Sequence, residues 1–237
     1  MIIADWQDEG HYGQMEALDG SAWAWEFLRR NPGYQREWQA FMETWHALEA
    51  DYGRPPHRDF CAWKNDPRAW VRAEDAAAGD CRVDEDKVLI ECAFGARWGF
   101  HKFPPDPADG EAAQEGRISW RRREAPSRRI PVEEAADTDP LRQALLRFDL
   151  DLPLREQFEQ AKRELQVLQR RRQREDGLAM RSIRNLAPRL VREVRMLDAL
   201  AAEVPDAIVD RLGGQALVEA ANWRCREGYL ALPWLPR

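Results

Sequence analysis

"SAWAWEFLRRNPGYQREWQAFMETWHALEADY", residues 21–52, holds Trp23, Trp25, Trp38 and Trp45, four of the chain's eleven tryptophans. Just before it and within it, Asp19 and Ser21 are of the types that cap helix N-termini. Trp23, Phe27 and Leu28 follow at one-face spacing. Asn31-Pro32-Gly33 then predicts a stop, because Pro and Gly punctuate helices. Beyond it Tyr34, Trp38, Phe41, Trp45, Leu48 and Tyr52 recur at steps of 4, 3, 4, 3 and 4, the apolar stripe of a second helix. The stretch therefore predicts a helical hairpin, with Trp23, Phe27, Tyr34, Trp38, Phe41 and Trp45 on facing sides. Large rings each bury much area, so a few of them can make a core.

Outward from that stretch the pattern is less regular. Residues 53–87 read as loop. "VLIECAF" (88–94) is a short apolar run that fits a buried strand or a short helix. Residues 116–140 are polar and broken by Pro and Gly, which predicts a linker. After it comes a long helix over about 153–175, with Leu154, Phe158, Ala161, Leu165 and Leu168 at steps of 4, 3, 4 and 3. Two heptads are too few to specify a coiled coil. Three further helices are expected: about 180–203, with Pro188 in its first turn or at a break, then 205–212 and 215–227. "YLALPWLP" follows as a strand or tail. The fold class expected is mainly α with a small β element. Its parts are an N-terminal region with the helical hairpin (1–115), a linker (116–140) and a helical, helix-turn-helix-like domain (141–237).

The 237 residues suffice for one or two cores. No apolar run approaches the roughly 18–20 residues of a membrane span, so no membrane partner is expected. The start lacks the pattern of a signal peptide, and the expected location is the cytoplasm. The four cysteines, in no CxxC spacing, are expected to be reduced. The net charge of -6 is uneven: residues 1–110 carry 12 Lys+Arg against 21 Asp+Glu, and residues 151–200 carry 12 against 8. An acidic front suits docking of a partner protein or a second copy, and a basic later segment suits a polyanion.

Residues 5–38, "DWQDEGHYGQMEALDGSAWAWEFLRRNPGYQREW", resemble the N-terminal transcriptional-regulator-like domain of proteobacterial proteins, many carried on integrative and conjugative elements or plasmids. The block W-E-[WF]-L-R-R-[ND]-P-x-Y is met here by Trp25, Glu26, Phe27, Leu28, Arg29, Arg30, Asn31, Pro32 and Tyr34. "RWGFHKFPPDP" (97–107) and "FDLDLPLREQFEQAKRELQ" (148–166) resemble later elements of the same proteins. The resemblance implies DNA-linked regulation, and some relatives carry a C-terminal helix-turn-helix-like domain. The chain departs from them at one point: Glu203-Val204-Pro205 stands where they show Gly-Ala-Ser, so the glycine of the standard turn is missing.

Several residues become candidates on this reading. In the helix over 215–227, Gln215, Asn222, Arg224 and Arg226 are candidates for duplex DNA, since Arg and Asn read guanine and adenine edges. Ordinary packing with a solvated polar face is the alternative there. Arg170, Arg171, Arg172 and Arg174 end the 153–175 helix and could touch phosphates or serve the macrodipole. The arginines of 119–129 form a possible nucleic-acid arm. Arg29 and Arg30 could meet a partner protein, or else cap carbonyls or pair with acidic neighbours. There is no GxSxG, HExxH or GxxxxGK[ST] and no four-ligand metal spacing, so neither an enzyme, a cofactor nor a metal is expected. Two functions remain: a DNA-binding regulator of a mobile element, or a protein-interaction module acting on a regulator without touching DNA.

Overall fold

The computed structural model describes residues 5–76, 82–101, 103–113, 118–122, 136, 139 and 141–237. The fold is mainly helical with one small antiparallel sheet. In order come α1 (Glu9–Met15), α2 (Gly20–Leu28), α3 (Pro32–Tyr52), α4 (Phe60–Trp63), a 3-10 turn (Pro67–Ala69), β1 (Trp70–Arg72), β2 (Arg82–Asp84), β3 (Lys87–Leu89) and α5 (Ile90–Trp98). Then follow α6 (Leu154–Glu175), α7 (Ile183–Ala201), α8 (Asp206–Leu212), α9 (Gly214–Arg226) and a 3-10 helix (Gly228–Trp234).

Local chemistry sets the ends of α2 and α3. The Asp19 carboxylate accepts from the Ala22 N–H (2.9 Å), and Asn31 Oδ1 accepts from Gly33 and Tyr34 (2.8 and 3.3 Å) with Pro32 in the first turn of α3. These are N-caps that satisfy donors the helix cannot. Ser21 is not a cap; its Oγ accepts from the Trp120 indole (2.8 Å). "VLIECAF" is both things at once: it closes β3 and opens α5. β3 lies between β1 and β2, with Trp70 opposite Leu89 and Val71 opposite Val88.

The expected hairpin is corrected in its packing. α2 is buried on all sides: Trp23, Ala24, Trp25, Phe27 and Leu28 have no exposed surface. A helix apolar all round belongs in the middle of a core. Its neighbours are the C-terminal 3-10 helix, α7 and α9, while α3 packs on α4 and the Pro67–Ala69 turn. Ile183, Ala187, Leu190, Val194, Tyr229 and Leu232 complete the main core around α2. A smaller cluster gathers Leu48, Trp63 and Ala69, with Trp45 and Tyr52 against it. The Arg58 guanidinium lies over the Trp63 ring at 3.6 Å, a cation–π contact.

Two compact units result. One comprises Met1–Arg123 with Ser182–Arg237, and the other Glu124–Arg181. These differ from the halves 1–115 and 141–237 read from the linker-like composition, because α7 and α9 supply core around α2. In the second unit α6 buries none of its residues, and Phe158, on the expected stripe, is 57% exposed. Phe158 meets Phe148 at 5.2 Å. "YLALPWLP" is corrected from strand or tail to the 3-10 helix. α7 starts at Ile183 behind Ser182 and runs through Pro188 without a break. Cys61 and Cys225 are free, but Cys92 is disulfide-bonded, against the expectation of four reduced thiols.

The turn from α7 to α8 is made without glycine. The Val204 N–H donates to Ala199 O (3.4 Å), and the Glu203 N–H to Leu200 O (3.0 Å). That is the Schellman pattern, with Glu203 in the left-handed position at φ 53°. A side chain there costs about 1–2 kcal/mol, part of which glycine gives back as chain entropy. Glu203→Gly is therefore expected to stabilise the fold by about 0.5–1 kcal/mol, read from the urea midpoint. A lower midpoint would show that the turn does not hold this geometry.

Candidate functional site

Two of the regions that the sequence singled out, the Arg29-Arg30 pair and the helix over 215–227, meet where the ends of α2 and α3 face α7 and α9. At the centre is a buried polar network. Arg30 donates from Nε and a terminal nitrogen to Asp198 (2.7 and 2.9 Å) and also to Glu26; Tyr12 donates its hydroxyl to Asp198 (2.7 Å). Arg29 donates to Glu26 as well (3.0 Å). Burial alone would raise the Glu26 carboxyl, yet the Arg30 and Arg29 guanidiniums outweigh it and hold the carboxyl below the usual carboxylate range. The Tyr12 hydroxyl is pushed well up by burial and by its bond to Asp198. Arg29 and Arg30 are thus spent inside the chain, which corrects the partner-binding expectation in favour of its alternative, pairing with acidic neighbours and capping of the Glu26 carbonyl by Arg30. A buried guanidinium must be paired, and Arg30 through Asp198 ties the end of α2 to α7.

The α9 candidates separate. Arg224 is only 8% exposed; its Nε donates to Glu193 (2.9 Å), a residue with no exposed surface that also accepts from Arg189 (2.7 Å). The Arg224 guanidinium also lies 5.1 Å from the centre of the Trp223 ring. Arg224 therefore cannot reach a base edge, which corrects its place among the readers. Gln215 is exposed and donates to Glu219 on the next turn (3.1 Å). Asn222 is half-buried and Arg226 exposed.

Asn222 and Arg226 line one cleft of about 290 Å³ with Asn31, Pro32, Gly33, Arg36 and Cys225. That lining contains two guanidiniums and no carboxylate. No ion pair holds Arg36 or Arg226 among the described residues. Burial pushes the Cys225 thiol up to about 12, so it stays protonated, donating to Phe27 O (3.3 Å). Sequence reasoning missed Arg36. Its signal was a cation near the N-terminus of α3, where the helix dipole opposes it.

In the other unit, Arg171 pairs with Glu175 (2.8 Å) and Arg172 with Asp176 (2.9 Å), while Arg174 donates to Arg170 O (3.4 Å). Arg170 and Arg174 keep exposed guanidiniums on α6. Of the proposed arm over 119–129, residues 123–129 lie outside the described residues. Trp120 belongs to the core, and Arg122 lies over Trp234 (4.6 Å).

Residues 5–62 match the model of the proteobacterial transcriptional regulator-like domain. The regulator-like domain thus spans α1, α2, α3 and the start of α4, and it contributes Arg29, Arg30 and Arg36. No curated protein and no solved structure matches the chain. Among the described residues no helix is long and apolar enough to cross a membrane, and no three His, Cys, Asp or Glu side chains are grouped to hold a metal ion.

Proposed function

We propose that the chain is a DNA-binding transcriptional regulator of a mobile genetic element, acting without a catalytic step. Its contact with duplex DNA is the cleft where Asn222 and Arg226 of α9 face Arg36 of α3. The observation that carries this reading is the composition of the cleft: the guanidiniums of Arg36 and Arg226, with no ion-pair partner among the described residues, the amide of Asn222 and no acidic side chain. Guanidiniums neutralise phosphates, and Asn and Arg can pair with base edges. The order α7, left-handed turn, α8, α9 supports it, since the turn keeps the conformation that glycine supplies in helix-turn-helix relatives. Arg170 and Arg174 add exposed cations. The acidic stretch 1–110 is left to dock a protein or a second copy.

The test is fluorescence anisotropy with the chain's own promoter and a random duplex, across a salt series. Arg36→Ala and Arg226→Ala should each weaken binding to both duplexes and flatten the slope of log K against log salt by about 1. Unchanged slopes in both variants would remove the cleft from the interface. One observation favours the second reading. Trp223, 52% exposed, stands beside Gln215, Glu219 and Arg226 on an electrically mixed face, and exposed tryptophans anchor protein interfaces. Salt-insensitive behaviour with either duplex, together with a stoichiometric protein partner lost on Trp223→Ala, would establish that reading instead.

A further inference from the structure

We propose that the cavity of about 470 Å³ between the regulator-like domain and α7 and α9 is a site for an uncharged small molecule with an apolar body and an amide-type edge. Its size lies in the range of small-molecule sites, about 300–1,000 Å³. Trp38, Pro32, Pro107, Leu197 and Leu200 give it apolar walls. Its charged lining is Arg29, Arg30, Asp106 and Asp198, two of each sign. Each is already engaged: Arg30 with Asp198, Arg29 with Glu26, and Asp106 Oδ1 by the Ala108 N–H (2.8 Å). An anionic ligand would have to break one of the arginine pairs, and an uncharged one breaks neither. What remains open are the primary amides of Asn222 and Gln39 and the indole N–H of Trp38, which is buried without a hydrogen-bond partner among the described residues. Both amides line the cavity without a hydrogen-bond partner among the described residues. Each amide offers two donors and an acceptor, so a ligand that carries both a carbonyl and an N–H satisfies them.

Asn222 also borders the basic cleft, so a bound ligand is expected to compete with DNA for its amide. That consequence rests on the nucleic-acid reading; the binding itself does not, and it is tested without DNA. The probes are benzamide, nicotinamide and acetanilide, with benzoate and nicotinate as charged counterparts. Binding is followed by ¹H–¹⁵N spectra of the full chain, in which Trp38→Phe assigns the Trp38 indole and Asn222→Leu and Gln39→Leu the two amides. The amides should shift these resonances with dissociation constants on the order of 1 mM, as ligands of this size allow. The carboxylates should bind at least about tenfold more weakly, and Asn222→Leu should cost about fivefold, the loss of one hydrogen bond. Ala201→Trp, at an exposed rim position, should abolish the shifts while leaving the rest of the spectrum in place. Amides that shift none of these resonances, carboxylates that bind as well as amides, or an Ala201→Trp variant that binds unchanged would each overturn the proposal.

Discussion

Arg30→Ala is expected to cost about 3–5 kcal/mol of folding stability, read as a fall in the urea midpoint with little change in slope. The substitution removes the cation shared by Glu26 and Asp198, which are 8% and 3% exposed. Two carboxylates would be left in the interior, Glu26 with Arg29 and Asp198 with, among the described residues, only the neutral Tyr12 hydroxyl. Breaking a buried pair costs far more than the pair is worth, because the orphaned charge cannot be rehydrated. Arg30→Lys should recover only part of the loss, since an ammonium cannot reach two carboxylates with a planar fork. The same network has an acid limb. Glu26 is held below its ordinary value, so its stabilisation is present above the unfolded carboxyl value of about 4.3 and is lost as pH falls through the lower folded value. In Arg30→Ala that limb should shrink. A loss below about 1 kcal/mol would mean that the arginine is not what holds α2 to α7.

Gly20→Ala should be of similar size, at least about 3 kcal/mol, from a different cause. A Cβ at position 20 would stand 2.1 Å from Leu232 O and 2.9 Å from its carbonyl carbon. Both are backbone atoms, so no side-chain rotation relieves the clash, and α2 must part from the 3-10 helix. Overpacking of this kind exceeds the usual 1–3 kcal/mol when the main chain has to move. Gly13→Ala is the contrast. It lies inside α1 with nothing within 4 Å of the added carbon, and the helix propensity of alanine predicts a gain of up to about 1 kcal/mol. Equal effects from the two substitutions, compared by thermal melting, would contradict the close approach at Gly20.

The helix ends around "NPG" were readable because their causes are local: Asn31 caps two N–H groups within three residues, and Pro32 fits only a first turn. Where the causes are distant the reading failed. Arg224 pairs with Glu193, 31 positions away, and nothing at the level of charge pattern reveals that. A spacing signal did exist. Arg224 lies three residues after Ala221 and next to Cys225, and all three are buried on one side of α9, so its position already belonged to the apolar stripe. The division at 116–140 misled for a related reason. Composition describes the connection, whereas what unites the two ends is that α2 is buried on nearly every side and only later helices can cover it. Of the site, Asn222 and Arg226 were found by residue type, but Arg36 was joined to them only by tertiary packing.

The position of α2 sets a timetable for synthesis. Its indoles are sealed by Leu190, Val194, Tyr229 and Leu232, and the Ile183 N–H donates to Pro236 O (2.8 Å). While the ribosome is still adding the two hundred or so residues after Leu28, that surface has no native cover. The nascent regulator-like domain therefore waits for its cover until the 3-10 helix emerges. Premature termination before Gly228 should yield not a shortened fold but a sticky chain.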